Sequence, residues 1–424
     1  MVASTDIKFY VHTNNNAAQL QNAYGSMIGV LDACLVNGIN IGAVSSLKAS
    51  GSTVTATFSN THNLQKFQVI KITGAAQAEF NGEHRILTVL NSTTVAFELE
   101  VAPSATTATG EIQASLPPLG WEKPFSSVNL NGGGKAAYRS SNLLLSSRPF
   151  LRVVDELDPL WSSSYSKYAK VGIVENMSSI DSMSGTQCPF NESSLQKNWQ
   201  AYSSNGEIFN GLAKWQYARL GNNIQASFNS STPENGVRQW VLVGCADSFY
   251  ICNGVTPTNS NDLFVNAFGC FENKLNTDLS NWFISSFLND TKHTQGHILG
   301  FDNAIPFFNG SILLYRDYKN NKSTPAKIAS TPTITGIAAQ AGVVNYVIAD
   351  NIIPLSENII IETESSLQRG SLPYILRPLS INPFQHLEPT VYEGLMLLPI
   401  PVAIHTGIGE GKIGQLVFCL GEVA

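Results

Sequence analysis

The apolar and polar positions change period along the chain. Leu20, Tyr24, Met27, Ile28, Leu31 and Leu35 recur at steps of three or four, which places them on one helical face. Asn14, Asn15 and Asn16 supply turn and N-cap chemistry before this stretch, and Gly38 offers a left-handed stop after it. One amphipathic helix over 17–36 is therefore predicted, preceded by a short strand over 6–12. Its apolar face needs a cover. Leu20, Met27, Ile28 and Leu31 are the candidate assembly interface, because an uncovered stripe of this kind marks a contact with another chain.

From 44 to 116 the period shortens to two. Val54, Ala56 and Phe58 alternate with Thr53, Thr55 and Thr57, the pattern of a strand with one buried face. Further strands are predicted over 67–72, 84–90, 94–100 and 110–114, separated by turn residues such as Asn81-Gly82. Locally paired short strands without a helix predict a small inserted antiparallel sandwich or barrel. Breakers flank it at Gly42 and at Pro117-Pro118, so 1–43 is assigned to the main body and 44–116 to the inserted module. Strands are predicted at 150–154, 169–174, 239–243, 248–252 and 311–315 in a central domain, 117–330, with long Ser/Asn/Thr-rich loops. A C-terminal β domain, 331–424, follows with strands at 343–348, 359–363, 395–400 and 415–420. The prolines between Pro354 and Pro401 favour edge strands there. The fold class is mainly β: multidomain antiparallel sandwich or barrel modules with one N-terminal amphipathic helix.

Composition narrows the function classes. Lys and Arg total 25 against 31 Asp and Glu, and only 13% of residues are charged, about half the usual share of roughly 25%. A net charge of −6 without a basic stripe disfavours nucleic acid as a partner. No apolar run reaches the eighteen or so residues of a membrane-spanning helix, and no cationic-then-apolar leader opens the chain, so neither membrane spanning nor secretion is expected. Six cysteines without a C-x-x-C pair predict reduced, buried thiols.

Candidate chemistry is sparse. Residues 409–414 (GEGKIG) match G-x-G-x-x-G, but too little chain follows for a βαβ unit, so the segment reads as a turn. Residues 131–135 (NGGGK) lack the span of a phosphate loop. His293 and His297 stand four apart without the Glu of a helical zinc site, and Cys245, Cys252 and Cys270 fit no zinc spacing. No metal or cofactor is expected. Asp155, Glu156 and Asp158 form the densest acidic group; paired carboxylates suit glycoside hydrolysis, but a solvated loop tip is the favoured reading. Trp199, Trp215, Tyr202 and Tyr217 could stack sugars, while core or interface packing is the commoner use of such residues.

Several islands together resemble structural proteins of tailed bacteriophages. They are 24–41 (YGSMIGVLDACLVNGINI), 69–74 (VIKITG) within a β module, 119–125 (LGWEKPF), 137–140 (AYRS), 150–153 (FLRV) and 369–378 (RGSLPYILRP). The resemblance implies a non-enzymatic virion component of the tail, baseplate or neck, assembled in the host bacterial cytoplasm, whose partners are other virion proteins and copies of itself. It brings no catalytic residues. The alternative is a host-surface glycan-binding protein or depolymerase using the central aromatics and the acidic group.

Overall fold

The computed structural model describes residues 2–190, 196–204, 206–221, 229–257, 263–275, 281–288, 312–319, 322–329, 352–378, 383–405 and 411–423. Among them the chain is mainly antiparallel β structure, as its patterning predicts.

Six strands close the predicted small barrel, in the order Ile39–Ser50, Thr53–Phe58, Thr94–Glu98, Gly82–Asn91, Val69–Thr73 and Gln113–Leu116. Val54, Ala56 and Phe58 point inward and the intervening threonines outward. The first strand starts earlier than predicted. It pairs with Gln113–Leu116 over its first half and with Thr53–Phe58 over its second, with register shifts near Gly42 and Ser45 that bend it around the barrel corner. Ile39 lies opposite Leu116, so the barrel's two ends are neighbours. Polar ties hold it to the rest of the chain. The buried Arg85 donates from Nη2 to the carbonyls of Ile7 and Leu420 at 2.9 and 3.1 Å, and Gln68 exchanges side-chain hydrogen bonds with Asn14 at 2.9 and 3.0 Å. Replacing residues 45–115 by a short Gly/Ser linker should leave a folded remainder that melts in one cooperative step, at a lower temperature because these ties are gone. An unfolded remainder in calorimetry would make the barrel part of the central core.

Two sheets form the body. The smaller runs Phe287–Leu288, Ala213–Ala218, Lys167–Ser179, Phe150–Glu156, Gly133–Ser140 and Trp121–Val128, with Ser182–Cys188 also paired to Lys167–Ser179. The larger has 13 strands, starting with Lys8–Val11, Trp240–Gly244, Ser248–Asn253 and Phe264–Cys270 and ending with Gly411–Glu422, Leu395–His405 and Thr390–Tyr392. Among the described residues, strands on both sides of residue 330 belong to this one sheet.

The large sheet is covered on both faces. Trp240, Leu242, Phe249 and Ile251 share a core with Val171, Ile173, Trp215 and Tyr217 of the smaller sheet. Val241, Val243, Tyr250 and Cys252 share a second core with Leu398, Ile400, Leu416 and Phe418 from the sheet's own far end. The sheet therefore curls back on itself, bringing the Tyr250 and Phe418 rings to 5.3 Å. This accounts for the unbroken apolar runs in the central strands: with no solvent face, a strand has no reason to alternate. The prolines sit where a ladder can spare a donor. Pro399 and Pro401 lie beyond the short pairing with Thr390–Tyr392, and Pro373 lies where pairing between Leu355–Glu362 and Gln368–Pro378 is interrupted.

The N-terminal helix is shorter than the periodicity predicts. An α-turn, Ser26–Leu31, passes into a π-helical turn, Asp32–Asn37. Gly25 has φ 87°, which ends any helix on its N-terminal side, and Leu20 instead bridges Arg238 as extended backbone. The assembly-interface reading of Leu20, Met27, Ile28 and Leu31 is corrected accordingly. Leu20, Met27 and Leu31 are fully buried in the body's own core and Ile28 is half-buried against it. The cover is internal, supplied in part by strands Gly133–Ser140 and Phe150–Glu156, against which the helix packs.

Among the remaining sequence expectations, His293, His297, the strand over 343–348 and part of 409–414 lie outside the described residues, while residues 411–414 belong to strand Gly411–Glu422. Residues 131–135 make a hairpin turn and strand start. Gly133, with φ 75°, is required there because a Cβ would meet the Asp155 carbonyl oxygen at 2.0 Å. All six cysteines are free; Cys34, Cys188 and Cys252 are buried, and Cys245, Cys270 and Cys419 are half-buried.

Candidate functional site

The acidic group divides at the end of strand Phe150–Glu156. Asp155 is not at a loop tip but wholly buried. Its carboxylate accepts hydrogen bonds from the Tyr217 hydroxyl at 2.6 Å and from the Met27 backbone N–H at 3.0 Å, so it anchors the start of the helix. Burial raises its pKa from 3.8 to about 6, against the opposing pull of the Tyr217 hydroxyl and the backbone N–H groups. A carboxyl whose folded pKa is raised contributes stability below its unfolded pKa and loses it as pH rises through the folded value. Wild type should thus lose about 3 kcal/mol relative to Asp155→Asn between about pH 4 and pH 6. Denaturant melts of both proteins across this range check it; parallel pH profiles would contradict it.

Glu156 and Asp158 instead line a cavity of about 480 Å³, together with Lys135, Arg152, Lys170, Asp181, Trp199 and Gln200 among others. Asp158 is buried and fixed on every side. It accepts from the Leu160 N–H at 3.0 Å, the Ala201 N–H at 2.8 Å and Lys170 Nζ at 3.1 Å. Burial acts to raise its pKa, but the Ala201 N–H and the Lys170 charge outweigh it and hold the carboxyl below its ordinary value. Lys170 is buried too, and burial pulls its pKa down despite Asp158. Its Nζ also lies 3.2 Å from Asn210 Oδ1. Lys214, opposite Lys170 in the neighbouring strand, is pushed by burial and by the charges of Lys170 and Arg219 to about 7.

The other wall is a guanidinium system. Arg152, 3% exposed, donates from Nε to the Ile180 carbonyl and from Nη2 to Asp181 Oδ1, each at 2.8 Å, and lies over the Trp199 ring at 4.6 Å. Lys135 reaches the same Asp181 oxygen at 2.8 Å. Lys135, Arg152, Lys170, Asp158 and Asp181 went unnamed or unpaired in the sequence reading. Arg152 and Lys170 carried a readable signal, because a charge inside an apolar strand (FLRVV, YAKVG) has to be paired or used.

The aromatics pack more than they present. Trp199, Trp215 and Tyr217 are buried and Tyr202 is half-buried. The Trp215 indole N–H donates to the Ser285 carbonyl at 2.9 Å, bridging the two sheets. Asp155, enclosed in the core, does not line the cavity with Glu156 and Asp158, so the acidic triplet is not one constellation. Among the described residues no group of three His, Cys, Asp or Glu is placed to hold a metal.

No family model and no curated protein matches the chain. Among solved structures it is similar to the phage phi92 endosialidase at 8% identity, over 90% of this chain and 51% of that one, with a TM-score of 0.15. The chain thus spans about half the length of that protein, and a similarity this low transfers neither site nor activity.

Proposed function

We propose that the chain is a non-enzymatic structural component of a tailed-bacteriophage particle, in its tail, baseplate or neck, working through contacts with copies of itself and other particle proteins. The observation that supports this most is the edge hairpin of the smaller sheet. Val128 and Leu130 at its tip are 89% and 103% exposed, and Leu143 and Leu144 beyond its other end are 76% and 95% exposed. Large apolar side chains held out at both ends of an edge hairpin are what a contact with a neighbouring chain would bury. Three of the islands that carry the resemblance, 119–125, 137–140 and 150–153, lie on or next to the three adjoining strands of this sheet, and the helix of 24–41 packs on two of them. Mass spectrometry of gradient-purified particles should find the chain. Serine at 128, 130 and 144 together should lower its incorporation without lowering the melting temperature of the isolated protein. Absence from particles, or undiminished incorporation, would overturn the respective part of this reading.

The cavity beside Arg152 and Trp199 favours a second reading, a host-surface glycan binder. Incubation with host capsular polysaccharide separates the two, since retention or shortening of the polymer belongs only to the second.

A further inference from the structure

Lys170, Asn210 and Asp158 form a buried trio that the assembly role does not use. Their side chains are 2%, 3% and 6% exposed as residues. Lys170 Nζ sits between an amide and a carboxylate, 3.2 Å from Asn210 Oδ1 and 3.1 Å from Asp158 Oδ2. Each partner is held independently. The Tyr168 hydroxyl donates to the Asn210 backbone carbonyl at 3.1 Å, and the Leu160 and Ala201 N–H groups fix Asp158. Lys170 lies mid-strand in Lys167–Ser179, where the cross-strand neighbour is a second lysine, Lys214, and burial favours the uncharged amine. An amine, a primary amide and a proton acceptor are thus brought together out of water, the arrangement proximity catalysis requires.

We propose that Lys170 and Asn210 join through an intramolecular isopeptide bond, with Asp158 as the catalytic proton carrier. Asp158 Oδ2 takes a proton from the Lys170 ammonium. The freed Nζ lone pair attacks Asn210 Cγ, forming the C–N bond while the carbonyl π pair moves to Oδ1. As the carbonyl reforms, the Cγ–Nδ2 bond breaks; one of the two protons given up by Nζ passes through Asp158 to Nδ2, which leaves as ammonia, and the other is taken up by that ammonia as it departs as ammonium, returning Asp158 to the carboxylate. Amine and primary amide become secondary amide and ammonia; no oxidant or cofactor enters. Asp158 and Lys170 line the cavity, which gives ammonia a way out. The bond ties hairpin Ala201–Ser204/Glu207–Asn210 to the middle strand of the smaller sheet. A covalent cross-link of this kind would stop that hairpin from peeling away under load.

Intact-mass spectrometry of the full-length protein tests it. The mass should fall below that of the 45.8 kDa sequence by one ammonia, about 17 Da. Trypsin should fail to cleave after Lys170, and the digest should contain one branched species joining the Lys170 and Asn210 peptides. Asp158→Ala, Lys170→Met and Asn210→Ala should each restore the unmodified mass of their own sequence. Asn210 precedes Gly211, so cyclisation of Asn210 on its own backbone would also release ammonia. That product would persist in Lys170→Met and give no branched peptide, and finding it would overturn the proposal. So would wild-type protein of full sequence mass with separate Lys170 and Asn210 peptides, a result that needs no variant to fold.

Discussion

Leu31→Asp should give little or no folded protein. Leu31 is fully buried at the junction of the α-helical and π-helical turns, in the core that joins the helix to both sheets. The next residue already uses the local cationic partner: Asp32 accepts from Lys123 Nζ and from the Tyr138 hydroxyl, each at 2.7 Å. A carboxylate at 31 would lose the leucine's packing and remain buried without a partner, a combination in the class above about 4–5 kcal/mol. A domain stable by about 5–15 kcal/mol has little margin for that. Leu31→Met, of similar volume, should cost less than about 1.5 kcal/mol. Soluble yield and thermal melts separate the cases. If Leu31→Asp folds with wild-type stability and loses only self-association, the helix face is an exposed interface after all.

That variant marks the limit of sequence periodicity here. Steps of three and four did identify Leu20, Met27, Leu31 and Leu35, which share a buried core with Ile28 packed against it; Tyr24 is not part of that core. They could not show that Gly25 takes a left-handed conformation, nor that Leu20 is extended against Arg238. Burial and helicity leave the same trace when a segment is packed on several sides. The barrel was legible because five of its six strands pair with a near neighbour in sequence and one face is wet, so alternation survives. The large sheet was legible as isolated apolar runs but not as one sheet, because curling hides both faces and removes the alternation that would show register.

The site was harder to read for a similar reason. Asp155, Glu156 and Asp158 are neighbours in sequence, yet the strand directs Asp155 into the core, to the helix start, and leaves the other two facing the cavity. Lys170 and Asn210 meet across a separation of 40 residues, a juxtaposition no local spacing encodes. What the sequence does show is the anomaly of charge in apolar strands. Arg152 and Lys170 are readable as such anomalies although the sequence reading passed over them; their partners Asp181, Asp158 and Asn210 need the fold.

The same anomaly identifies a buried ion pair of the large sheet. Arg369, the first residue of the island 369–378, is fully buried and pairs through Nη1 with Glu362, itself buried. Glu362 is more than a counter-charge. It also accepts from the Tyr318 backbone N–H at 2.9 Å and from the Ser365 hydroxyl at 2.6 Å, so one carboxylate joins a loop, a turn and two adjacent strands. Glu362→Ala would remove one carboxylate partner from a guanidinium buried against the Phe271 ring, which keeps the Arg316 carbonyl, 3.0 Å away, among its other partners. Breaking one side of a buried pair costs about 3–5 kcal/mol, most of it the desolvation of the charge left behind. Replacing both partners, as in Glu362→Leu with Arg369→Met, should recover a large part of that loss, since the guanidinium that has lost its Glu362 partner is removed too. Denaturant unfolding of Glu362→Leu, Arg369→Met and the double variant measures the coupling. A Glu362→Ala protein within about 1 kcal/mol of wild type would mean that water reaches Arg369 and that the pair behaves as a surface contact.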